Sequence, residues 1–262
     1  MSTEVRRLDT AELEQRVQHM YEEVALEPGR EFHFETGRPL AERLGYPPAE
    51  LDRIPAAAVE SFAGVGHFLD LAALRPGETV LDLGSGSGTD SFLAACSVGA
   101  TGRVIGVDMT PAQLAKARRL ARHAGFAQTD FREGHIEAPP VDDGSVDCVI
   151  SNGVVNLSPD KPAVFAAAAR ALRLGGRLAL ADIVTEHQLP DGVTCDAALW
   201  AACIGGAMQR DAYRTAITDA GFTIERWRTN TRYRFVSERA DSATRRYGVT
   251  SISLLAVRRW VV

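Results

Sequence analysis

The run Gly84-Ser85-Gly86-Ser87-Gly88 sets a glycine at every second position, directly after the apolar stretch Val80-Leu81-Asp82-Leu83. Glycine in such a place permits a tight turn and lets the backbone approach a bound molecule closely. Two acids accompany the loop. Asp82 precedes its first glycine by two, and Asp108 lies twenty residues beyond Gly88, closing the next apolar run. A carboxylate at the latter position points at ribose hydroxyls in nucleoside-binding folds. The spacing is not the G-x-G-x-x-G of dinucleotide sites, because the sixth position counted from Gly84 is Thr89. It is not a triphosphate loop either, since no Gly-Lys-Ser/Thr follows.

A nucleoside cofactor that is not a dinucleotide, and that carries a cationic amino group to suit Asp82, meets these conditions. S-adenosylmethionine is such a molecule. A nicotinamide-dependent reductase would need the dinucleotide glycines and a tyrosine-lysine pair, and the chain has only two lysines, Lys116 and Lys161. Cys203, set among small residues in Ala201-Ala-Cys-Ile-Gly-Gly-Ala207, is a candidate acceptor-side thiol, or else a small buried hydrophobe. His67, after Gly64-Val65-Gly66, is a candidate base, and His33 and Tyr213 are others. Cys195 is a possible companion of Cys203, whereas Cys96 and Cys148 read as core. No histidine or cysteine spacing suggests a metal site.

The elements that must hold these groups follow from periodicity. Asp9 to about Leu26 reads as a helix with Asp9 as cap and Glu12 as its return partner. Shorter helices follow around Leu40–Leu44 and Ala56–Phe62, so residues 1–65 read as a helical cap over the acceptor pocket. From Val80 onward, short apolar runs alternate with helical stretches, the signature of βαβ units and a parallel sheet. Two late strands, Thr223–Trp227 and Ser251–Arg258, suggest an antiparallel hairpin at one edge, with the arginine-rich stretch 226–246 as a solvated loop. The expected fold is α/β, a Rossmann-like, seven-stranded, mostly parallel sheet with an antiparallel edge hairpin. Residues 66–262 form its cofactor-binding domain.

Composition narrows the function classes. The 262 residues are 45% apolar and 24% charged, as in ordinary globular proteins. A net charge of −5 leaves no basic footprint for nucleic acid. No run approaches the ~20 apolar residues of a membrane span, and the N-terminus has no apolar signal core. A cytoplasmic protein, monomer or homodimer, working on a small molecule is the expectation.

On these residues the chain resembles class I S-adenosylmethionine-dependent methyltransferases over about residues 60 to 225, through the glycine loop, Gly106-Val-Asp-Met-Thr110 and the Ala220-Gly-Phe222 turn. Within that class it is most similar to the arsenite methyltransferase family. The segments that carry this are Gly106–Pro111, Ser151-Asn-Gly-Val-Val-Asn-Leu-Ser-Pro-Asp-Lys161, Leu199-Trp-Ala-Ala-Cys-Ile-Gly-Gly-Ala207 and Leu44-Gly-Tyr-Pro-Pro48. The resemblance implies that Gly84, Ser85 and Gly86, with Gly88, serve the methionine part of the cofactor. It implies that Asp108 binds the ribose, that Met109 packs on the adenine, and that Ile136 and Glu137 flank the base. Asn152 would lie near the sulfonium, and Asp82 would support the loop or the amino group.

The chain also departs from that family. Arsenite methyltransferases hold trivalent arsenic with cysteine thiolates, soft ligands for a soft metalloid. One family cysteine lies in a Gly-Cys-Gly segment, where this chain has Val65, and a second follows Ser-Asn, where it has Gly153. The third position is kept as Cys203. Three functions therefore stand open: methylation of a different acceptor at a thiol, carbon, nitrogen or oxygen; methylation of trivalent arsenicals through Cys203 alone; and cofactor binding by a sensor or assembly protein without transfer.

Overall fold

The computed structural model describes residues 8–195, 200, 205–236 and 238–259. Helix α1 (Thr10–Leu26) starts where Asp9 accepts the Glu12 amide at 3.0 Å. The Glu12 side chain does not return to the cap; it pairs with Arg16 at 2.8 Å, an i,i+4 contact. Leu13, Val17, Met20 and Val24 form the buried stripe of α1, at the spacing an amphipathic helix requires. Four short helices follow: α2 (Arg38–Leu44), α3 (Pro48–Leu51), α4 (Ala56–Glu60) and α5 (Leu69–Ala72).

The sheet comprises β1 (Thr79–Leu83), β2 (Arg103–Asp108), β3 (Thr129–Glu133), β4 (Val146–Asn152), β5 (Leu172–Thr185), the two-residue β6 (Met208–Gln209), β7 (Phe222–Thr229) and β8 (Thr250–Arg258). Its order is β3-β2-β1-β4-β5-β8-β7, with β6 paired to β5. The first five strands run parallel, and β8 is antiparallel to both β5 and β7. Helices α6 (Thr89–Val98), α7 (Pro111–Ala124), α8 (Lys161–Ala171), α9 (Asp191–Thr194), α10 (Arg210–Asp219) and α11 (Glu238–Tyr247) complete the chain. The expected α/β architecture is present, with eight strands rather than seven.

The late strands depart from expectation in their connection. Helix α11 lies between β7 and β8, so the pair is antiparallel and at the edge but is not a hairpin. The sequence Glu-Arg-Ala-Asp-Ser-Ala-Thr-Arg-Arg-Tyr offers no apolar stripe, which is why its helical character did not stand out from a solvated loop.

Strand residues alternate between two cores. Val80, Val104, Cys148 and Ile150 face α1, α5 and α6, whereas Leu81, Ile105, Val149 and Leu178 face α8 and α10, where Phe165, Tyr213 and Ile217 lie. With both faces covered, the central strands are almost wholly apolar, as buried parallel strands are. The chain leaves β1 for β2 and β3, then returns to β4 on the other side of β1. That reversal opens a crevice at the carboxyl ends of β1 and β4, where open α/β sheets bind ligands.

Candidate functional site

Register brings the chemical groups together. Leu83 pairs with Val107 on one side and Ser151 on the other, and Asp108 pairs with Glu133. Gly84, Asp108, Asn152 and the segment after Glu133 therefore emerge at one edge of the sheet. They line a cavity of about 420 Å³, within the range of small-molecule sites. Helix α1 contributes Leu13, Val17 and Tyr21 to the lining, and the segment after α4 contributes Phe62, Ala63 and Gly64. Long polar side chains tie α1 down. Gln18 donates to the Met109 carbonyl at 3.0 Å and Gln113 to that of Tyr21 at 2.8 Å. Lys116 donates to the Ala25 carbonyl at 2.9 Å and to Ser61 Oγ at 2.7 Å.

The glycine loop folds back onto β2. The amides of Gly84 and Ser85 both donate to the Val107 carbonyl, at 2.8 and 3.0 Å. Gly84 has φ +75°, and a Cβ there would stand 2.3 Å from Val154 Cγ2, so only glycine fits. Asp108 Oδ2 accepts the Gly86 amide at 2.8 Å, and its Oδ1 accepts that of Thr110 at 2.8 Å. These bonds orient the carboxylate, and each oxygen retains a lone pair for a further donor. Burial raises the Asp108 pKa, against the pull of those amide bonds.

Of the expected cofactor residues, Asp82, Gly84, Ser85, Gly86, Asp108, Met109, Ile136, Glu137 and Asn152 all line the cavity. Gly88 is not among the lining residues. It turns the chain into α6 with its amide on the Ser85 carbonyl, and a Cβ there would meet Phe92 at 2.8 Å and Phe131 at 3.0 Å. Its glycine is a packing requirement. His67 also lies away from the cavity lining: its ring packs edge-on against Tyr46 at 4.6 Å between centroids, with Nδ1 3.6 Å from Asp70. Burial lowers its pKa, opposed by Asp70. Tyr213 is fully buried in the other core and donates to Asp182 at 2.7 Å, and His33 stacks edge-on against Phe34. Cys203 lies outside the described residues. Among the described residues no cluster could hold a metal ion.

Residues that spacing did not disclose complete the site. Asp90, in the first turn of α6, lines the cavity beside Asp82, and His135 lines it with Nε2 3.6 Å from Glu14. Asp90 Oδ1 accepts from the Tyr46 hydroxyl at 2.6 Å and Oδ2 from Asn152 Nδ2 at 3.0 Å. Asp82 Oδ2 accepts from Ser91 at 2.6 Å. Burial, with the neighbouring Asp90 charge, pushes the Asp82 pKa up to about 8; burial pushes Asp90 up to about 6. Among the described residues the buried Ser85 hydroxyl has no hydrogen-bond partner. An unpaired hydroxyl, two carboxylates with no cation on them and an oriented third carboxylate match the polar ends of an amino-acid nucleoside.

The methyltransferase domain family matches residues 74–221, more than half of the chain, including the glycine loop and Asp108. The chain belongs to the methyltransferase domain family. It is related to the arsenite methyltransferases. An arsenite methyltransferase of Halobacterium salinarum is 45% identical over 182 residues, covering 70% of this chain and 46% of that protein. A nocamycin O-methyltransferase of Saccharothrix syringae is 38% identical over 135 residues, covering 51% of this chain and 48% of the relative. This methyltransferase chain thus spans about half the length of the curated relatives it matches. The crystal structure of an arsenic (III) S-adenosylmethionine methyltransferase from Chlamydomonas reinhardtii superposes with a TM-score of 0.63 at 29% identity, covering 86% of this chain and 74% of that one. No described helix of the methyltransferase chain is long and apolar enough to cross a membrane.

Val65 and Gly153 are neighbours in this domain: a Cβ at Gly153 would stand 3.1 Å from Val65 Cγ1. Asn152 joins the two segments, with Oδ1 accepting the Val65 amide at 2.8 Å.

Proposed function

We propose that the chain transfers the sulfonium methyl of S-adenosylmethionine to a small-molecule acceptor that is not a trivalent arsenical. Residues 1–65 act as a cap, and residues 66–262 as the cofactor-binding domain. One observation carries this reading: a single cavity under α1 is lined by the glycine loop, Asp108, Ile136, Glu137 and Asn152. When bound, the cofactor supplies a methyl group already activated on sulfur.

The chain's own residues bind, align and exclude water, which is where most of the rate of such a displacement resides. Asp108 accepts the ribose hydroxyls on its free lone pairs. Met109 and Ile136 hold the adenine between them, with Glu137 at its edge. Ser85 Oγ and the Gly84–Gly86 backbone take the methionine end, with Asp82 behind them. The Asn152 amide is committed to Val65, Gly66, Tyr46 and Asp90, so its role is positioning.

Two features support a different acceptor. Val65 and Gly153 leave no thiol where arsenite methyltransferases have two cysteines, and their packing on one another fills that space with methyl groups. The cavity is lined by Glu14, Asp90, Asp108, Glu137 and Asp160, with no lysine or arginine among the described lining residues. That potential favours a neutral or cationic acceptor over an anionic one.

S-adenosylhomocysteine release from the full chain tests this. The acceptors are arsenite and methylarsenite with excess thiol, simple thiols, phenols, amines and carboxylates. Turnover with a phenol, thiol or amine and none with the arsenicals is expected. Arsenical turnover that disappears in Cys203→Ala would overturn the acceptor assignment. Cofactor binding with no release from any acceptor would overturn transfer itself.

A further inference from the structure

Lys161 is the first residue of α8, and both its burial and its place work against its charge. It is 4% exposed and forms no ion pair among the described residues. A cation in the first turn also faces the positive end of the helix dipole. Burial lowers its pKa to about 8, opposed by the charges of Asp182 and Glu137. A buried, unpaired cation costs stability that an apolar side chain of similar volume would not. Its retention calls for a role other than packing.

Two groups hold the ammonium. It donates to the Ser158 carbonyl at 2.9 Å, and it stands over the Trp200 ring, 4.7 Å from the centroid, within the range of a cation–π contact. The ring is itself fixed. Trp200 Nε1 donates to the Thr194 carbonyl at 2.6 Å, and Cβ atoms built at Gly205 and Gly206 would stand 2.4 and 2.7 Å from the ring. Ser158 carries the link into the cavity: its hydroxyl donates to Glu137 Oε1 and accepts the Asp160 amide at 3.1 Å. Glu137, Ser158 and Asp160 line the cavity, whereas Lys161 does not.

We propose that Lys161 is a positioning residue for the cofactor: backed by Trp200, it fixes Ser158 and, through it, the Glu137 carboxylate at the base end of the site. The inference rests on the placement of the adenine beside Glu137 proposed above. The contacts run from Trp200 to Lys161, Ser158 and Glu137, and only the last two of these residues line the cavity. With Ser158 on one oxygen, the Glu137 carboxylate is held in one orientation and keeps its other oxygen for a donor such as the exocyclic amine of adenine. Lys161 therefore acts on cofactor binding without touching the cofactor.

The test is a double-mutant cycle on the full chain, read by calorimetric titration with S-adenosylhomocysteine and by urea denaturation without ligand. Lys161→Met should weaken binding roughly three- to ten-fold while its urea midpoint stays the same or rises. Glu137→Ala should weaken binding at least as much. In the Glu137→Ala background, Lys161→Met should cost less than about two-fold more, because the residue it acts through is gone. A merely structural role gives the reverse pattern, a lower urea midpoint and a loss that multiplies with that of Glu137→Ala. If Lys161→Met does not fold, Ser158→Ala takes its place in the cycle with the same binding expectations. Unchanged affinity in the single variant, or losses that multiply, would overturn the proposal and leave the adenine placement standing. Unchanged affinity in Glu137→Ala would overturn that placement, and the role of Lys161 with it. Absence of binding by the unaltered protein would overturn the cofactor site itself.

Discussion

Asn152 Oδ1 accepts the backbone amide of Val65 at 2.8 Å, across 87 residues of chain. One strand-end side chain thus clips the segment that closes the crevice to the sheet that forms its floor. The same side chain donates to Tyr46, Gly66 and Asp90. Replacing it with alanine leaves the Val65 amide and the Asp90 carboxylate short of partners in a buried setting. Asn152→Ala should cost about 1–3 kcal/mol in urea denaturation and weaken cofactor binding in parallel. Unchanged stability would mean that water replaces the clip at no cost.

Asp82 and Asp90 make the stability of the ligand-free protein depend on pH in a stated direction. Their pKa values, about 8 and about 6 in the folded chain, lie above the unfolded value of 3.8. The folded state therefore binds more protons than the unfolded state between about pH 4 and pH 8, and stability falls as pH rises through that window. Asp82→Asn removes the larger contribution while keeping an acceptor for Ser91. It should be more stable than the unaltered protein at pH 8 by about 1–3 kcal/mol, and nearly equal to it at pH 4. Urea midpoints at the two pH values decide this; a variant less stable at pH 8 would contradict it. The gain comes with weaker binding of the cationic cofactor.

Gly84 offers a sharper contrast. In Gly84→Ala the strain of φ +75° adds to a clash with Val154, at the floor of the cavity. Gly99, with φ +68°, has nothing within 4 Å of a built Cβ. Gly84→Ala should lose cofactor binding by more than about ten-fold and be destabilised by about 1–3 kcal/mol. Gly99→Ala should show backbone strain alone and bind cofactor normally. Equal binding losses in the two variants would show that global destabilisation, not the cradle, is being measured.

Which parts of this molecule were legible in the chain follows from how far each contact reaches. The glycine loop and Asp108 announce themselves because their roles are set by local backbone conformation and strand-end position. The seven longer strands were legible from their apolar runs, and β6, two residues long, was not. Helix α11 hides behind its charges. Asp90 and Tyr46 are 44 residues apart and meet only where the segment after α2 packs on α6. His67 reads as a candidate base, but its ring turns toward Tyr46 and Asp70, a direction that spacing does not encode. Tyr213 reads as a candidate base, yet its hydroxyl is buried in the core against Asp182.

Under the proposed function this cavity holds S-adenosylmethionine with its ribose on Asp108 and its methionine end on the Gly84–Gly86 loop. A crystal structure of the full chain with S-adenosylhomocysteine tests it most directly. The ribose hydroxyls should lie within hydrogen-bond distance of Asp108, adenine between Met109 and Ile136, and the methionine end against the Gly84–Gly86 loop and Ser85 Oγ. A ligand bound elsewhere, or bound with its methionine end rather than its ribose at Asp108, would contradict it.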